Sequence, residues 1–327
     1  MSLTTTAEPS RYQFDQATNT VFLGKTESGS ACYTGQASKD WAIGNVPNCG
    51  YVVSLILDSV LQNYHQRHQK HPVALNCYFF GKTLPGGFVV EIEELKSSSK
   101  GYCICRAVLK QYKNMEQPLP STIADYTSNE PITKVHGIFT MGNMDTESGK
   151  THYHNNPKAP SRDKMIPTKY AFMGEFFNAQ VDPSTFPRSS KTNQPILSRP
   201  FNGVDAQDVV IEGKPELSQC MSFADGRPMD LKAMGLMVDL FMTPPLLLGT
   251  TFWNGAIWCP TMQLEIQFKR IPQTHEILAH FTVPHIINNR FDLDGEIFDA
   301  DGNILAVTKH QCLVVDWSRN VSSKPKL

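Results

Sequence analysis

The chain has 327 residues, which exceeds the size at which a single hydrophobic core usually keeps growing, so we expect two domains or one duplicated unit. Its 30 Lys and Arg residues nearly balance 31 Asp and Glu residues, and this small net charge disfavours nucleic-acid binding and a polybasic membrane patch. The N-terminus has no apolar signal-peptide core and no apolar run approaches the length of a membrane span. The sequence therefore predicts a cytoplasmic protein without a membrane partner.

The first half predicts one long helix with strands before and after it. Short strands over 20–24 and 31–34 precede an apolar helix over 48–64, for which Asn48 is the N-cap. Because this helix is apolar nearly all round, we expect a sheet to enclose it. The strand-like runs that follow lie at 73–80, 88–95, 102–111 and 134–141.

The composition changes abruptly over residues 142–225. This stretch has eight prolines and abundant Ser, Asn, Lys and Arg residues, and regular hydrophobic patterning is weak in it. We predict a long connector with one short helix near 170–177.

The pattern of the first half then returns. Apolar residues recur at steps of three and four over 230–242, which predicts a second helix with Asp230 as its N-cap, and Pro244 and Pro245 end it near Met242. Strand-like runs follow at 257–270, 276–284, 291–298 and 303–315. The order of one helix and four strands occurs twice, so we expect a duplicated α+β unit, with residues 1–141 and 226–327 as the two domains.

Asp239 is the one carboxylate in the apolar stretch 235–249. A buried aspartate is costly unless it is hydrogen-bonded or acts as a base. The alternative is a side chain that points out of the helix into water. The sequence pattern alone leaves both interpretations open.

Motifs in both halves resemble the thioesterase II family of acyl-CoA thioesterases. Asn-Cys-Gly-Tyr-Val-Val at 48–53 occupies the place of that family's first helix start, and Tyr-Phe-Phe at 78–80, Pro-Gly at 85–86 and Arg-Ala-Val at 106–108 are similar to its strand and turn elements. The resemblance implies a double hot-dog fold, in which two long central helices are each wrapped by an antiparallel sheet.

In the second half the resemblance extends to candidate catalytic residues. Val-Asp-Leu-Phe-Met-Thr-Pro at 238–244 makes Asp239 the counterpart of the family's aspartate, and the run at 260–262 makes Thr261 the counterpart of its threonine. The strand at 302–311 is similar to the one that ends in the family's glutamine. Counted without a gap, that position is His310, while Gln311 is the next residue and should face the opposite side of the strand.

The chemistry that the resemblance implies is hydrolysis of an acyl thioester by a water that these side chains hold. The substrate would be an acyl-CoA or an acyl-carrier thioester, with no cofactor and no metal, and the protein could form a homo-oligomer. The residues expected to bind the substrate are those of the first helix start, Asn48, Cys49, Gly50 and Tyr51. The backbone amides of 48–50 are the candidate oxyanion donors.

Two other functions stay open. A hydratase of the same fold would be expected to carry an Asp-x-Asn-x-x-His element, which is missing from the sequence. Because a histidine stands where the family has glutamine, the chain could instead be a biosynthetic accessory enzyme or an acyl-binding protein that acts on a polyketide-like substrate without hydrolysis.

Other motifs do not predict a site. Phe-Gly-Lys-Thr at 80–83 lacks the upstream glycine of a phosphate-binding loop, and no Gly-x-Ser-x-Gly elbow occurs. His152 and His154 lie in a polar stretch that predicts a solvated loop. The eight cysteines have no C-x-x-C spacing and are typical of buried thiols in a reducing compartment. The C-terminal Ser-Lys-Pro-Lys-Leu is loosely similar to a peroxisomal signal, although we expect the cytoplasm.

Overall fold

The computed structural model describes residues 10–127, 130–154, 157–197 and 210–321. Within these residues one antiparallel sheet has 14 strands and carries most of the fold. Its strands in chain order are β1 Thr20–Lys25, β2 Ala31–Ala37, β3 His71–Phe79, β4 Gly86–Lys96, β5 Cys103–Gln111, β6 Ile132–Gly142, β7 Ile166–Thr168, β8 Phe177–Val181, β9 Glu216–Phe223, β10 Thr261–Phe268, β11 Glu276–Thr282, β12 Ile286–Ile287, β13 Arg290–Phe298 and β14 Ile304–Leu313.

The strand order shows the duplication. It runs β1-β2-β4-β5-β6-β3-β10-β14-β13-β11-β9-β8-β7, and β12 pairs with β13. Outward from the β3–β10 seam, the first half runs β3-β6-β5-β4-β2 and the second half runs β10-β14-β13-β11-β9. If the two-residue strand β12 is left aside, each half begins with the first strand after its helix, continues with the fourth, third and second, and then has the strand that precedes the helix. The predicted repeat of one helix and four antiparallel strands is therefore confirmed, and the two halves join in a single sheet.

Five helices accompany the sheet in the described part of the chain: α1 Gln13–Thr18, α2 Cys49–Tyr64, α3 Leu231–Met237, α4 Gly249–Trp253 and α5 Ser318–Val321. Helix α2 begins as predicted, because the Asn48 side chain accepts a hydrogen bond from the Tyr51 amide. Its apolar side chains are almost all buried under the sheet. None of the described helices is long and apolar enough to cross a membrane.

The prediction of two long central helices is wrong for the second helix. Asp230 caps α3 by accepting from the Ala233 amide at 2.7 Å, as predicted, but α3 has only seven residues and ends at Met237. The Asp239 amide bonds to the Leu236 carbonyl, which tightens the last turn. The apolar residues between Asp239 and Pro244 lie outside the helix. Leu240 and Met242 are nevertheless buried, and Phe241 is half-buried.

Residues 142–225 contain more regular structure than the predicted connector. Strands β7, β8 and β9 lie in this stretch and extend the second half of the sheet. No helix forms near 170–177, where turns lead into β8. The predicted run 257–270 is broken before Thr261, so that β10 begins at that residue.

Candidate active site

The site lies where the two halves meet, at the N-terminus of α2. Four segments converge there: the start of α2, the turn after α3, the start of β10 and the end of β14. They enclose a cavity of about 50 Å³, which is enough for a few water molecules and too small for an acyl chain. Its lining includes five of the eight predicted site residues, namely Asn48, Cys49, Asp239, Thr261 and His310.

Asp239 faces the cavity, and its carboxylate is held by the other half of the molecule. Its Oδ2 accepts hydrogen bonds from the Gly50 amide at 2.8 Å and from Asn48 Nδ2 at 2.9 Å. The side chain is 8% exposed, so it is not the solvated helix residue of the alternative interpretation. Both donors and the positive end of the α2 dipole stabilise a negative charge at this position.

His310 approaches Asp239 from β14 and is fully buried. Its Nδ1 lies 3.4 Å from Asp239 Oδ1, and its Nε2 lies 2.9 Å from the Thr308 hydroxyl oxygen. The adjacent Gln311 is exposed on the opposite face of the sheet and does not line the cavity. Strand alternation therefore places His310, and not Gln311, beside the aspartate.

Thr261 begins β10, and its hydroxyl lies among thiols. Cys312 Sγ donates to Thr261 Oγ1 at 3.7 Å. Burial, followed by the nearby charge of Asp239, raises the pKa of the Cys49 thiol, which also hydrogen-bonds to Thr261. Burial raises the pKa of Cys312 well above its ordinary value as well. Both thiols are therefore protonated and act as polarisable lining groups, not as nucleophiles.

Only some of the residues at the start of α2 reach the cavity. The Tyr51 side chain turns away, and its hydroxyl donates to the Ala17 carbonyl at 2.6 Å. The Tyr51 amide donates to Asn48 and the Gly50 amide to Asp239. Among these amides, the Cys49 N–H is the one that neither Asn48 nor Asp239 engages.

Thr308 and Cys312 also belong to the site, although neither was predicted from the motifs. The signal was present in the sequence, since Thr308, His310 and Cys312 alternate along β14 and must share one face. The described residues contain no cluster of three His, Cys, Asp or Glu side chains that could hold a metal ion. His152 and His154 are exposed, and the residues of the C-terminal Ser-Lys-Pro-Lys-Leu lie outside the described ranges.

Family models match both halves of the chain. The model of the acyl-CoA thioesterase N-terminal domain matches residues 37–127, and the model of the acyl-CoA thioesterase C-terminal domain matches residues 167–314. Together the two matches span well over half of the sequence. None of the curated proteins matches the chain significantly.

Solved structures share the fold over nearly the whole chain. A protein from Thermobifida fusca YX, named as a candidate thioesterase II, is 17% identical with a TM-score of 0.68 and covers 93% of this chain and 98% of its own. A hot-dog-fold protein of unknown function from Alicyclobacillus acidocaldarius is 16% identical, with a TM-score of 0.68 and coverage of 94% and 99%. An acyl-CoA thioesterase II from Mycobacterium marinum is 13% identical, with a TM-score of 0.60 and coverage of 94% and 99%. At these identities the similarity establishes the hot-dog fold.

Proposed function

The chain belongs to the acyl-CoA thioesterase family, and on that premise we propose that it hydrolyses an acyl thioester with a water held by Asp239, Thr261 and His310. The observation that supports this assignment is the Asp239 carboxylate, which faces a cavity of water size and keeps one oxygen bound to Asn48 and Gly50. The other oxygen remains for a water molecule and for His310.

Asp239 acts as the general base in this proposal. It takes a proton from the water as the water oxygen bonds to the thioester carbonyl carbon, and a positioned base of this kind is worth about 10²–10⁴-fold in rate. The Thr261 hydroxyl lies on the same cavity between two thiols that can both donate to its oxygen, and in this proposal its own proton orients the water. The carbon–sulfur bond then breaks, the sulfur takes the proton that Asp239 had accepted and leaves as the thiol, and the acyl group is released as the carboxylic acid, so that Asp239 is ionised again.

The carbonyl oxygen gains negative charge during the attack and needs a donor. The Cys49 N–H is the group we assign to this task, because the neighbouring first-turn amides already have acceptors and the α2 N-terminus favours negative charge. The other residues of the predicted helix start do not bind the oxyanion in this proposal. Asn48 and Gly50 donate to the Asp239 carboxylate, and the Tyr51 hydroxyl donates to a carbonyl of α1.

The acyl group must extend beyond the cavity, which holds only a few waters. The remaining lining is largely apolar and includes Val46, Phe241 and Trp258, which suit the carbons next to the thioester. The substrate class that we propose is an acyl-CoA, with an acyl-carrier thioester as the other carrier. Release of free thiol from acyl-CoAs of short to long chain measures both activity and chain preference.

Asp239→Asn is the principal test of the assignment. The amide keeps the size of the side chain but cannot accept the water proton, so we expect turnover to fall at least about 10²-fold. Asp294→Asn makes the same change at an exposed carboxylate of β13 and should keep full activity. An Asp239→Asn variant as active as the parent would refute the proposed base.

The alternative function is an acyl-binding or biosynthetic accessory role without hydrolysis. His310 at the position of the family's glutamine is the observation that favours it. The measurement uses the unmutated protein, in which Asp239 and Thr261 are both present. If it binds acyl-CoAs but releases free thiol from none of them, the result would support this alternative over hydrolysis.

A further inference from the structure

The hydrogen bonds behind His310 determine which of its ring nitrogens carries a proton. The Thr308 hydroxyl lies 2.6 Å from the Glu265 carbonyl oxygen, which can only accept, so the single hydroxyl proton of Thr308 points there. The Thr308 oxygen must then accept from His310 Nε2, which lies 2.9 Å away. Nε2 therefore carries a hydrogen.

The other nitrogen faces a negative group. Nδ1 lies 3.4 Å from Asp239 Oδ1, is fully buried, and has no hydrogen-bond partner among the described residues. A neutral ring with hydrogen on Nε2 would direct its Nδ1 lone pair at the carboxylate, and two acceptors repel each other in a buried site. A proton on Nδ1 removes this conflict and makes the contact an ion pair.

We propose, on the basis of the hydrolytic function above, that Thr308 is a positioning residue that allows His310 to donate to Asp239 only as an imidazolium. Asn48 and Gly50 donate to Oδ2 at the N-terminus of α2, so the complementary partner for Oδ1 is a donor that carries positive charge. The 3.4 Å separation is longer than the about 2.8 Å of a charge-assisted hydrogen bond.

Activity should therefore depend on pH in a way that it would not if residue 310 were a glutamine. A glutamine amide donates to the carboxylate at any pH, whereas an imidazolium loses its Nδ1 proton on the alkaline side. The other titratable groups that line the cavity with His310 are the thiols of Cys49, Cys259 and Cys312. Its neighbours on the adjacent strands, Leu264 and Leu293, do not titrate.

The test uses the pH profile of kcat/KM in the full chain. We expect the parent and Thr308→Ser, which keeps the hydroxyl, to lose activity on the alkaline side. In Thr308→Val the neutral ring can carry its hydrogen on Nδ1 and still donate to Asp239. The fall in kcat/KM at alkaline pH, the alkaline limb of the profile, should therefore begin at least about one pH unit higher. In His310→Gln this alkaline fall should be lost. Alkaline limbs that coincide in the parent, Thr308→Val and His310→Gln would overturn the proposal.

A measurement without turnover separates this inference from the proposed function. In protein labelled with ¹⁵N-histidine, the ring signals that vanish in His310→Gln belong to His310. We expect both of its nitrogens to be protonated at neutral pH in the parent and in Asp294→Asn. An unprotonated Nδ1 in the parent would refute the inference, whereas full activity of Asp239→Asn would refute the proposed base and leave the proton assignment intact.

Discussion

Gly50 is the residue at which the two halves come closest around the site. A Cβ built on it would lie 2.7 Å from the Gly235 carbonyl oxygen and 2.8 Å from Asp239 Cβ. Both distances are shorter than real Cβ contacts, and the first involves backbone that cannot rotate away. A side chain at this position must therefore push α3 and the Asp239 carboxylate away from α2.

Gly50→Ala should accordingly lower both activity and stability. We expect the overpacking to cost about 1–3 kcal/mol of unfolding free energy and the displaced carboxylate to reduce turnover. Urea denaturation and thiol release measure the two effects. Gly81→Ala is the matched control, because a Cβ there meets nothing within 4 Å. A Gly50→Ala variant with the parent's kcat would show that the contact between Gly50 and Asp239 does not position the base.

At the residue scale, the motifs and the strand alternation pointed to candidate side chains, but they gave no information about the partners of those side chains. Asp239, Thr261 and His310 lie far apart in sequence, and they line one cavity as the hydrolytic hypothesis requires. Their chemical roles remain proposals. The partnership of Asp239 with the Gly50 amide could not be predicted, because it depends on the distance at which two helices from different halves pack.

At the scale of elements, the apolar pattern after Asp230 predicted more helix than forms. A periodic apolar pattern indicates which residues are buried, not which backbone conformation buries them. The residues from Val238 to Met242 are mainly buried, but they lie after the end of α3, against the cavity and the sheet. The strands β8 and β9 were missed for the opposite reason, because prolines and polar residues around them dominated the composition. The duplication itself predicts β9: since β2 precedes α2, an equivalent strand should precede α3.

Helix α1 is tied to α3 by buried charges, and this connection should depend on pH. Arg227 is 4% exposed and donates to Asp15 Oδ1 at 2.8 Å, and Lys232 Nζ lies 3.1 Å from the same oxygen. Burial on its own raises the pKa of Asp15, but the Arg227 hydrogen bond and the two positive charges outweigh it and leave the pKa below 3.8. The ionised carboxylate is thus favoured in the folded state.

Asp15→Asn should destabilise the protein by about 2 kcal/mol at neutral pH, because it leaves Arg227 and Lys232 with one fewer counter-charge. A lowered folded-state pKa gives stability that is fully present above the unfolded value of about 3.9 and is lost as the pH falls through the folded value. The difference between parent and variant should therefore shrink below about pH 4. Asp301→Asn, at an exposed turn, is the control. A difference independent of pH would exclude this electrostatic origin.

At the scale of the whole molecule, the site belongs to neither half alone. Asn48 and Cys49 come from the first half, and Asp239, Thr261 and His310 come from the second. The halves are joined by the backbone pairing of β3 with β10, by the ion pairs of Asp15 described above, and by the contact of α2 with α3, where Ser54 Oγ lies 3.0 Å from the Lys232 carbonyl oxygen. The boundaries proposed from composition, at 141 and 226, remain a prediction, but the strands between them belong to the second half of the sheet.

Because the halves share one sheet and pack against each other through their helices, we expect them to unfold together. Leu57 is fully buried on α2 and lies against Gly235 of α3, at the centre of this contact. Leu57→Ala should remove about 2–5 kcal/mol of stability. If the coupling holds, hydrogen exchange in β5 of the first half and β13 of the second should accelerate by the same factor, because both strands then open through one global transition.

Leu95→Ala separates this coupling from simple loss of side-chain volume. Leu95 is 50% exposed near the end of β4, so the same truncation there should leave exchange in both strands nearly unchanged. Exchange that accelerates in β5 while β13 keeps the parent's rate would show that the halves open independently. In that case α2 could leave α3 while the second half stays folded, and Asp239 would lose the Gly50 and Asn48 donors on which the proposed base depends.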